Sequence, residues 1–254
     1  NLIPQITLLL PLPPLPSAVQ AQSMVTLACV VDGGIRYTNT GAGSAYSMNS
    51  NGLFTSNRLD FIGREDLGGG YNAHFRLESG FNLGNGAFDN TNGLIFNRMS
   101  YVGLGGWFGS LDFGRQFTVA HDVIYDYDPF HFEYPGIIPL TPATAGTRFN
   151  NDVKYSTTYG PFRLKAENSF GGMADDFNAG AARSVGLQYK WGWLNVGGVY
   201  TYRTVLVGTT YTPDNYYAFG AALTFGPVVF AGGMMNDNRD STPSSPDVRT
   251  LNYW

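Results

Sequence analysis

The chain has 254 residues, a formal net charge of −4 at pH 7, only 13% charged residues, and many glycines and aromatics: 33 Gly, 18 Phe and 16 Tyr. This composition excludes a disordered chain, and no apolar run is clean enough for a membrane-spanning helix. The negative charge leaves no basic patch that could replace the counterions of a nucleic acid, so no nucleic-acid partner is expected.

The first 21 residues differ from the rest of the chain. They are uncharged and largely apolar, and they end in Val19-Gln20-Ala21, which has the small-residue form of a signal-peptidase site. Several prolines interrupt the apolar stretch and no basic segment precedes it. We therefore predict an imperfect signal peptide over 1–21 and a folded region over 22–254.

Polar and apolar residues alternate from residue 51 onward. In the segment 58–64 the charged residues fall on one face, while Leu59 and Phe61 fall on the other, and the segment 74–78 repeats this pattern. Alternation with period 2 is typical of β-strands, and the charged face needs water where the aromatic face needs lipid. The pattern predicts an all-β protein, a transmembrane antiparallel β-barrel around a water-filled lumen.

The alternation predicts twelve strands, of which the last is unfinished. Their ranges are Met24 to Thr38, Asn51 to Glu65, Asn72 to Leu83, Leu94 to Gly105, Phe108 to Phe117, Arg148 to Tyr159, Phe162 to Gly171, Ala182 to Trp191, Trp193 to Leu206, Asn215 to Phe225, Val228 to Asp237, and a strand from Val248. Tight turns alternate with longer polar loops, at 39–50, 84–93, 118–147, 172–181, 207–214 and 238–247. Short turns at one rim and long loops at the other are typical of outer-membrane barrels.

The residue types that form catalytic and metal sites show no recognisable arrangement in this sequence. The single cysteine, Cys29, rules out an internal disulfide, and the three histidines are scattered without zinc-ligand spacing. No Ser-His-Asp set is identifiable. The sequence predicts no catalytic residue, no metal and no cofactor.

Several segments together point to a known family: Glu65-Asp66-Leu67-Gly68-Gly69-Gly70, Leu77-Glu78-Ser79-Gly80-Phe81, Phe96-Asn97-Arg98 and Tyr101-Val102-Gly103-Leu104. In this combination the chain from Met24 onward resembles the general trimeric porins of Gram-negative outer membranes, most of all the beta-proteobacterial type. That family forms barrels of about 16 strands. With about 12 strands present, the resemblance implies a C-terminally incomplete barrel that lacks roughly the last four strands.

The resemblance also implies a constriction. The family folds its third extracellular loop into the lumen and sets acids on that loop against arginines on the wall; here that loop would be 118–147. By position in the motif, the wall arginines are Arg58, Arg98 and Arg148. The loop acids are Asp122, Asp128 and Glu133, with Asp126 as a fourth. Other lumen charges are Arg76, Glu78, Lys154 and Lys165. The alternative, that these are only solvated lumen charges, stays open.

The function that the resemblance implies is an outer-membrane channel for passive diffusion of small hydrophilic solutes and ions, weakly anion-selective or near neutral. The expected partners are two further copies of the chain in a homotrimer, outer-membrane lipid and lipopolysaccharide. Two alternatives remain: a substrate-specific uptake channel, which would show a dedicated binding site in the lumen, and an outer-membrane enzyme with its site at the rim.

Overall fold

The computed structural model describes residues 23–48, 53–89, 93–133, 146–240 and 246–254. The signal peptide predicted for 1–21 lies outside these described residues. In the part of the chain that is described, no helical segment has the length and apolar character needed to cross a membrane.

The described residues form fourteen strands and one short helix. In chain order they are β1 (Met24–Val30), β2 (Ile35–Thr40), β3 (Gly43–Met48), β4 (Arg58–Gly68), β5 (Tyr71–Gly80), β6 (Met99–Gly106), β7 (Gly109–Phe117), α1 (Val119–Tyr125), β8 (Arg148–Tyr159), β9 (Phe162–Ser169), β10 (Ala182–Trp191), β11 (Leu194–Val207), β12 (Thr210–Phe225), β13 (Val228–Arg239) and β14 (Val248–Tyr253).

Twelve of these strands make one antiparallel sheet, which confirms the predicted number of sheet strands. Each strand pairs with the next one in sequence, except that β1 pairs with β4 across a separate two-stranded hairpin, β2 and β3. Within the described residues the sheet runs from β1 to β14, and these two end strands are not paired with each other.

The predicted first strand, Met24 to Thr38, is wrong as a single element, because the chain turns between β1 and β2. The Asp32 carboxylate accepts hydrogen bonds from the backbone N–H groups of Phe54 and Thr55, the latter at 2.8 Å. The Asp32 N–H in turn donates to the Asn57 side chain at 2.6 Å. These bonds to residues 22 to 25 positions further along divert the chain, and the predicted loop 39–50 contains most of the hairpin that follows.

The predicted loop 207–214 is also wrong. β11 and β12 continue their pairing to Val207 and Thr210, so a two-residue turn replaces the loop. An ion pair between Arg203 and Asp214, 2.7 Å apart, holds the extended ends together on the inner face. Pro213 and the polar residues of this segment favour a loop, but cross-strand pairing keeps both strands extended.

Two further strands begin later than predicted. β4 starts at Arg58 rather than Asn51, and β6 starts at Met99 rather than Leu94. Before β6, the Asn97 side chain accepts a hydrogen bond from the Gly80 N–H at 2.7 Å. Here a side chain, not the backbone of a neighbouring strand, accepts the N–H of Gly80. The alternation of polar and apolar residues gives no sign of such a bond.

The two faces of the sheet differ as the alternation predicts. Along β10, Ser184, Gly186 and Gln188 are buried on the inner side, and Val185 and Leu187 alternate with them on the exposed outer side. Residues that pair directly across two strands lie on the same face, so the neighbouring strands β9 and β11 show the same alternation. The sheet therefore presents an apolar outer surface and a polar inner surface.

The main apolar core lies inside the curve of the sheet, under α1. Residues from the helix and the segment after it pack on residues from β11, β12 and β13: Val119, Ala120, Val123, Ile124, Tyr127, Val199, Tyr216, Ala218, Ala222 and Met235. This core fixes the position of the loop that begins at Thr118.

Candidate functional site

A cavity of about 440 Å³ lies between the α1 loop and the inner wall of the sheet. Among the described residues, nine charged side chains line it, five cationic and four acidic. The cations are Arg58, Arg76, Arg98, Arg163 and Lys165, and the acids are Glu78, Asp122, Asp126 and Glu133. All five cations and Glu78 come from the wall, while the other three acids come from the loop, so wall cations and loop acids line the same cavity.

Inward-facing positions of β4 and β5 supply the side chains of the central part of the wall. Glu78 on β5 is only 1% exposed and forms ion pairs with the guanidinium groups of both Arg76 and Arg98. Arg76 also binds Asp60 on β4 at 2.9 Å. Two arginines thus share two carboxylates, and this part of the wall is close to neutral while its N–H groups still face the cavity.

Arg58 and Arg148, the other two predicted wall arginines, occupy different surroundings. Arg58 lines the cavity and donates to the Thr55 hydroxyl and the Ser56 carbonyl, both at 3.1 Å. It has no carboxylate within ion-pair distance among the described residues. Arg148 instead lies over the ring of Phe117, 4.2 Å from its centre, at the base of the loop, and is not among the residues that line the cavity.

Asp122 anchors the loop helix to the wall. Its carboxylate accepts hydrogen bonds from the ammonium groups of Lys165 at 2.6 Å and Lys154 at 3.1 Å. Burial alone would raise the pKa of Asp122, but Lys154, the His121 ring and Lys165 together hold that pKa far below its ordinary value. Asp122 is therefore ionised at neutral pH, and its charge is compensated by two lysines.

The remaining predicted loop acids have separate roles. Asp126 accepts from Gln188 at 2.9 Å and lies 3.5 Å from Arg163. Asp128 is buried, does not line the cavity, and accepts the backbone N–H groups of Phe130 and Phe132 at 3.0 and 3.1 Å, which closes the turn after the helix. Glu133 lines the cavity and forms no ion pair with a described residue.

The sequence did not identify several lining side chains as site residues, among them Arg163, Gln188 and His121. Parity places Arg163 and Gln188 on the inner face, but parity gives no information on how deep the loop reaches. His121 stacks on Phe117 with ring centres 3.8 Å apart, and its burial lowers its pKa despite the neighbouring Asp122. His121 is therefore neutral at pH 7.

Glycines on the inner wall form a slot that receives the loop. A Cβ atom at Gly186 would lie 2.7 Å from Val119 and 2.8 Å from Val123, and one at Gly220 would lie 2.3 Å from the Tyr127 ring. Such distances are shorter than ordinary carbon contacts of about 3.5 to 4.0 Å. Only residues without a side chain let the helix approach this closely.

Backbone and side chain bonds complete the attachment. The N–H of Val119, the first helical residue, donates to Glu167 on β9 at 2.9 Å, and Thr118 caps the helix by accepting the His121 N–H at 3.0 Å. The hydroxyl of Tyr127 donates to Asn195 at 3.2 Å, and its carbonyl accepts the Trp254 indole N–H at 3.0 Å. The loop is thereby held against one side of the wall, opposite the arginines of β4 to β6.

An apolar outer face, a charged inner face and an inward loop define a transmembrane antiparallel β-barrel protein. A family model described as Gram-negative porin matches residues 11–253. The chain belongs to this family, which confirms the predicted family, fold class and outer-membrane location.

Relatives agree with this assignment. An outer membrane porin protein of Bordetella pertussis is 37% identical over 188 residues, 66% of this chain and 48% of that protein. Outer membrane porin protein 32 of Delftia acidovorans is 31% identical and matches 93% of this chain and 70% of its own length. The structure of an anion-selective porin from Comamonas acidovorans superposes with a TM-score of 0.79 at 27% identity, covering 91% of this chain and 73% of that one. The matched region thus spans about half of the Bordetella relative.

Proposed function

We propose that the protein is a porin, a water-filled channel through which small hydrophilic solutes and ions diffuse passively. The observation that carries this proposal is the charged cavity between loop and wall, where opposite fixed charges face each other. Opposed rows of charge create a transverse field that a polar solute crosses while it stays hydrated, whereas an apolar solute must displace ordered water.

The proposed selectivity is weakly anionic or near neutral. Most charges at the site are paired: Glu78 with two arginines, Asp122 with two lysines and Asp126 with Arg163. Arg58 on the wall and Glu133 on the loop have no described ion-pair partner, and the cavity has one more cation than acid. The small positive excess favours anions slightly.

The reversal potential across a planar bilayer tests this proposal. The purified whole protein, measured under a KCl gradient, should give a small potential with the sign of chloride preference. A large potential with the sign of cation preference would contradict the charge balance.

A substrate-specific uptake channel is the second candidate, since Gln188, Tyr125 and His131 also line the cavity and could contact a solute directly. Solute flux into liposomes separates the two. Diffusion through a general pore rises in proportion to solute concentration, whereas a binding channel reaches a plateau. The family match favours a channel over an enzyme.

We also propose that the chain assembles as a homotrimer in the outer membrane, in contact with lipid and lipopolysaccharide. Exposed apolar side chains on the outer face, such as Val25, Leu27 and Phe61, require lipid or another copy of the chain to cover them. Chemical cross-linking of the protein in detergent, read as a ladder that ends at three chains, tests the oligomeric state.

A further inference from the structure

Two charged side chains of the cavity have no ion-pair partner in the described part of the chain. One is Arg58 on the wall and the other is Glu133 on the loop, whereas the remaining charges that line the cavity are paired. Arg58 donates only through Nη1, to Thr55 and Ser56, so its Nε and Nη2 groups still have donors for a solute. A cation and an anion in one cavity can bind the two ends of a solute that carries both charges.

Aromatic rings of the loop border the same cavity. Tyr125, the last residue of α1, is 38% exposed, and the centre of the exposed His131 ring lies 4.8 Å from the centre of the Tyr125 ring. Phe132 stands perpendicular to Tyr125 at 5.7 Å and edge-on to the buried His121 at 4.9 Å. The rings of Tyr125 and His131 therefore face the water of the cavity, and two less exposed rings support them.

The turn after α1 fixes the direction of these rings. His131 and Phe132 have φ angles of 49° and 60°, which residues with a side chain rarely adopt. The Asp128 carboxylate holds the turn by accepting two backbone N–H groups, and Nδ1 of His131 donates to the Tyr125 carbonyl at 2.9 Å. Backbone strain of this kind persists where the surroundings enforce it, and it is concentrated at binding sites. The rings are thus held in place before a solute arrives.

The two unpaired charges both lie near Tyr125. Burial, and after it the charges of Glu133 and Asp126, raise the pKa of Tyr125, while the charge of Arg58 opposes this rise. Charges influence a hydroxyl group in this way only at short range, because water screens distant ones. Asp126 already lies 3.5 Å from Arg163. The exposed ring therefore has one unpaired cation and one unpaired anion close to it.

We propose that this part of the cavity is a weak binding site for aromatic α-amino acids. Arg58 binds the carboxylate, Glu133 binds the ammonium group, and the aromatic ring of the solute packs on Tyr125 and His131. The proposal rests on the proposed function, because it names a class of solute for the same channel. Guanidinium groups bind carboxylates through paired N–H donors, and aromatic rings attract each other in offset or edge-to-face arrangements. Solutes that lack one of the three groups, and chloride, pass without being held.

Saturation-transfer difference NMR of the purified whole protein in detergent measures the affinity, with L-phenylalanine as the probe and protein-free micelles as the background. Cyclohexylalanine keeps both charges but has a saturated ring, phenyllactate has a hydroxyl in place of the ammonium group, and phenethylamine lacks the carboxylate. We expect cyclohexylalanine to bind about fivefold more weakly than phenylalanine, and the two singly charged solutes about tenfold more weakly.

Variants of the protein assign each contact when they are combined with these solutes. Arg58→Gln should bind phenylalanine about tenfold more weakly but should not weaken phenethylamine, which has no carboxylate. Glu133→Gln should likewise weaken phenylalanine but not phenyllactate. Tyr125→Leu should weaken phenylalanine about fivefold and leave cyclohexylalanine unchanged. Retained binding of the second solute shows in each case that the variant is folded.

Two matched variants control for the loss of a charge or a ring elsewhere. Arg183→Gln removes a cation that already donates to Asn168 and Asn178, at 3.3 and 3.0 Å. Tyr159→Leu removes a ring that is 84% exposed beside a short turn. Neither residue lines the cavity, so both variants should bind phenylalanine like the unaltered protein.

Equal affinity for phenylalanine and cyclohexylalanine, or equal losses in the control variants, would overturn the proposal. Equal weakening of both solutes by Arg58→Gln, Glu133→Gln and Tyr125→Leu would also overturn it, because the losses would then not follow the matching groups. Single-channel recording in KCl is a separate readout, in which phenylalanine should interrupt the current more often than cyclohexylalanine does. A channel that conducts without such interruptions would contradict the site alone, whereas absence of any conductance would contradict the porin proposal and leave the NMR affinities to decide on the site.

Discussion

Gly220→Ala should narrow the channel, because the new methyl group would occupy the space of the Tyr127 ring. The Cβ atom would lie 2.3 Å from that ring, so the ring must retreat by about 1.5 Å to reach an ordinary contact. Tyr127 lies two residues after α1, and we expect its retreat to carry the helix with it. A seven-residue helix is about 10 Å long and about 10 Å wide, so this movement into the lumen fills about 150 Å³. That volume is about a third of the 440 Å³ cavity.

Single-channel conductance in planar bilayers measures the effect. We expect Gly220→Ala to lose about a third of the conductance and about 1 to 3 kcal/mol of stability, the usual cost of overpacking. Gly41→Ala is the matched control, because its Cβ would meet nothing within 4 Å. Adding Tyr127→Ala should cancel the narrowing caused by Gly220→Ala. Unchanged conductance in Gly220→Ala would refute the glycine slot as the device that positions the loop.

Four further predictions concern charged side chains of the site and its loop. Replacing Arg58 and Arg98 with Glu reverses two charges that line the cavity, within a Debye length of about 8 to 10 Å of a passing ion. The reversal potential should then shift toward cation preference. An unchanged potential would mean that neither side chain lies near the path of the ions. Asp122→Asn should cost about 3 kcal/mol because it removes one partner of a buried ion pair. Folding lowers the pKa of Asp122, so the stability that its charge contributes is present above the ordinary pKa of 3.8 and is lost as the pH falls toward the lower folded-state value. The melting temperatures of the unaltered protein and of Asp122→Asn should therefore converge only in strong acid. Asp128→Ala should destabilise the loop by about 1 to 2 kcal/mol without changing selectivity, and Glu133→Gln should raise anion preference without changing the melting temperature; reversed outcomes would contradict the roles assigned to these two acids.

The strands of the sheet could be predicted from the sequence because the alternation that marks a strand involves only neighbouring residues. Alternation along a strand follows from the opposite directions of successive side chains, so the number of sheet strands and the inner or outer face of Arg76 and Lys165 could be predicted. The strand ends were harder to predict. Asp32 and Asn97 bind backbone groups distant in sequence, and such bonds leave no periodic pattern.

The site could be predicted only in part. The resemblance implied the loop, its acids and the wall arginines, and strand alternation agreed with an inward wall position, but neither could show which acid pairs with which cation. Asp128 and Glu133 look alike in sequence, yet one closes a turn and the other faces the cavity, because the chain after α1 bends back on itself. The glycine slot was not predicted, since a glycine opposite a loop has no sequence signal apart from the fold.

The most direct test of the central claim is the conductance of the purified whole protein as a function of KCl concentration. A water-filled pore with opposed and mostly paired charges should show stepwise openings whose conductance rises almost linearly up to molar salt. A conductance that saturates at low salt would reveal a binding site that holds ions in the constriction, and it would contradict the account of passive diffusion.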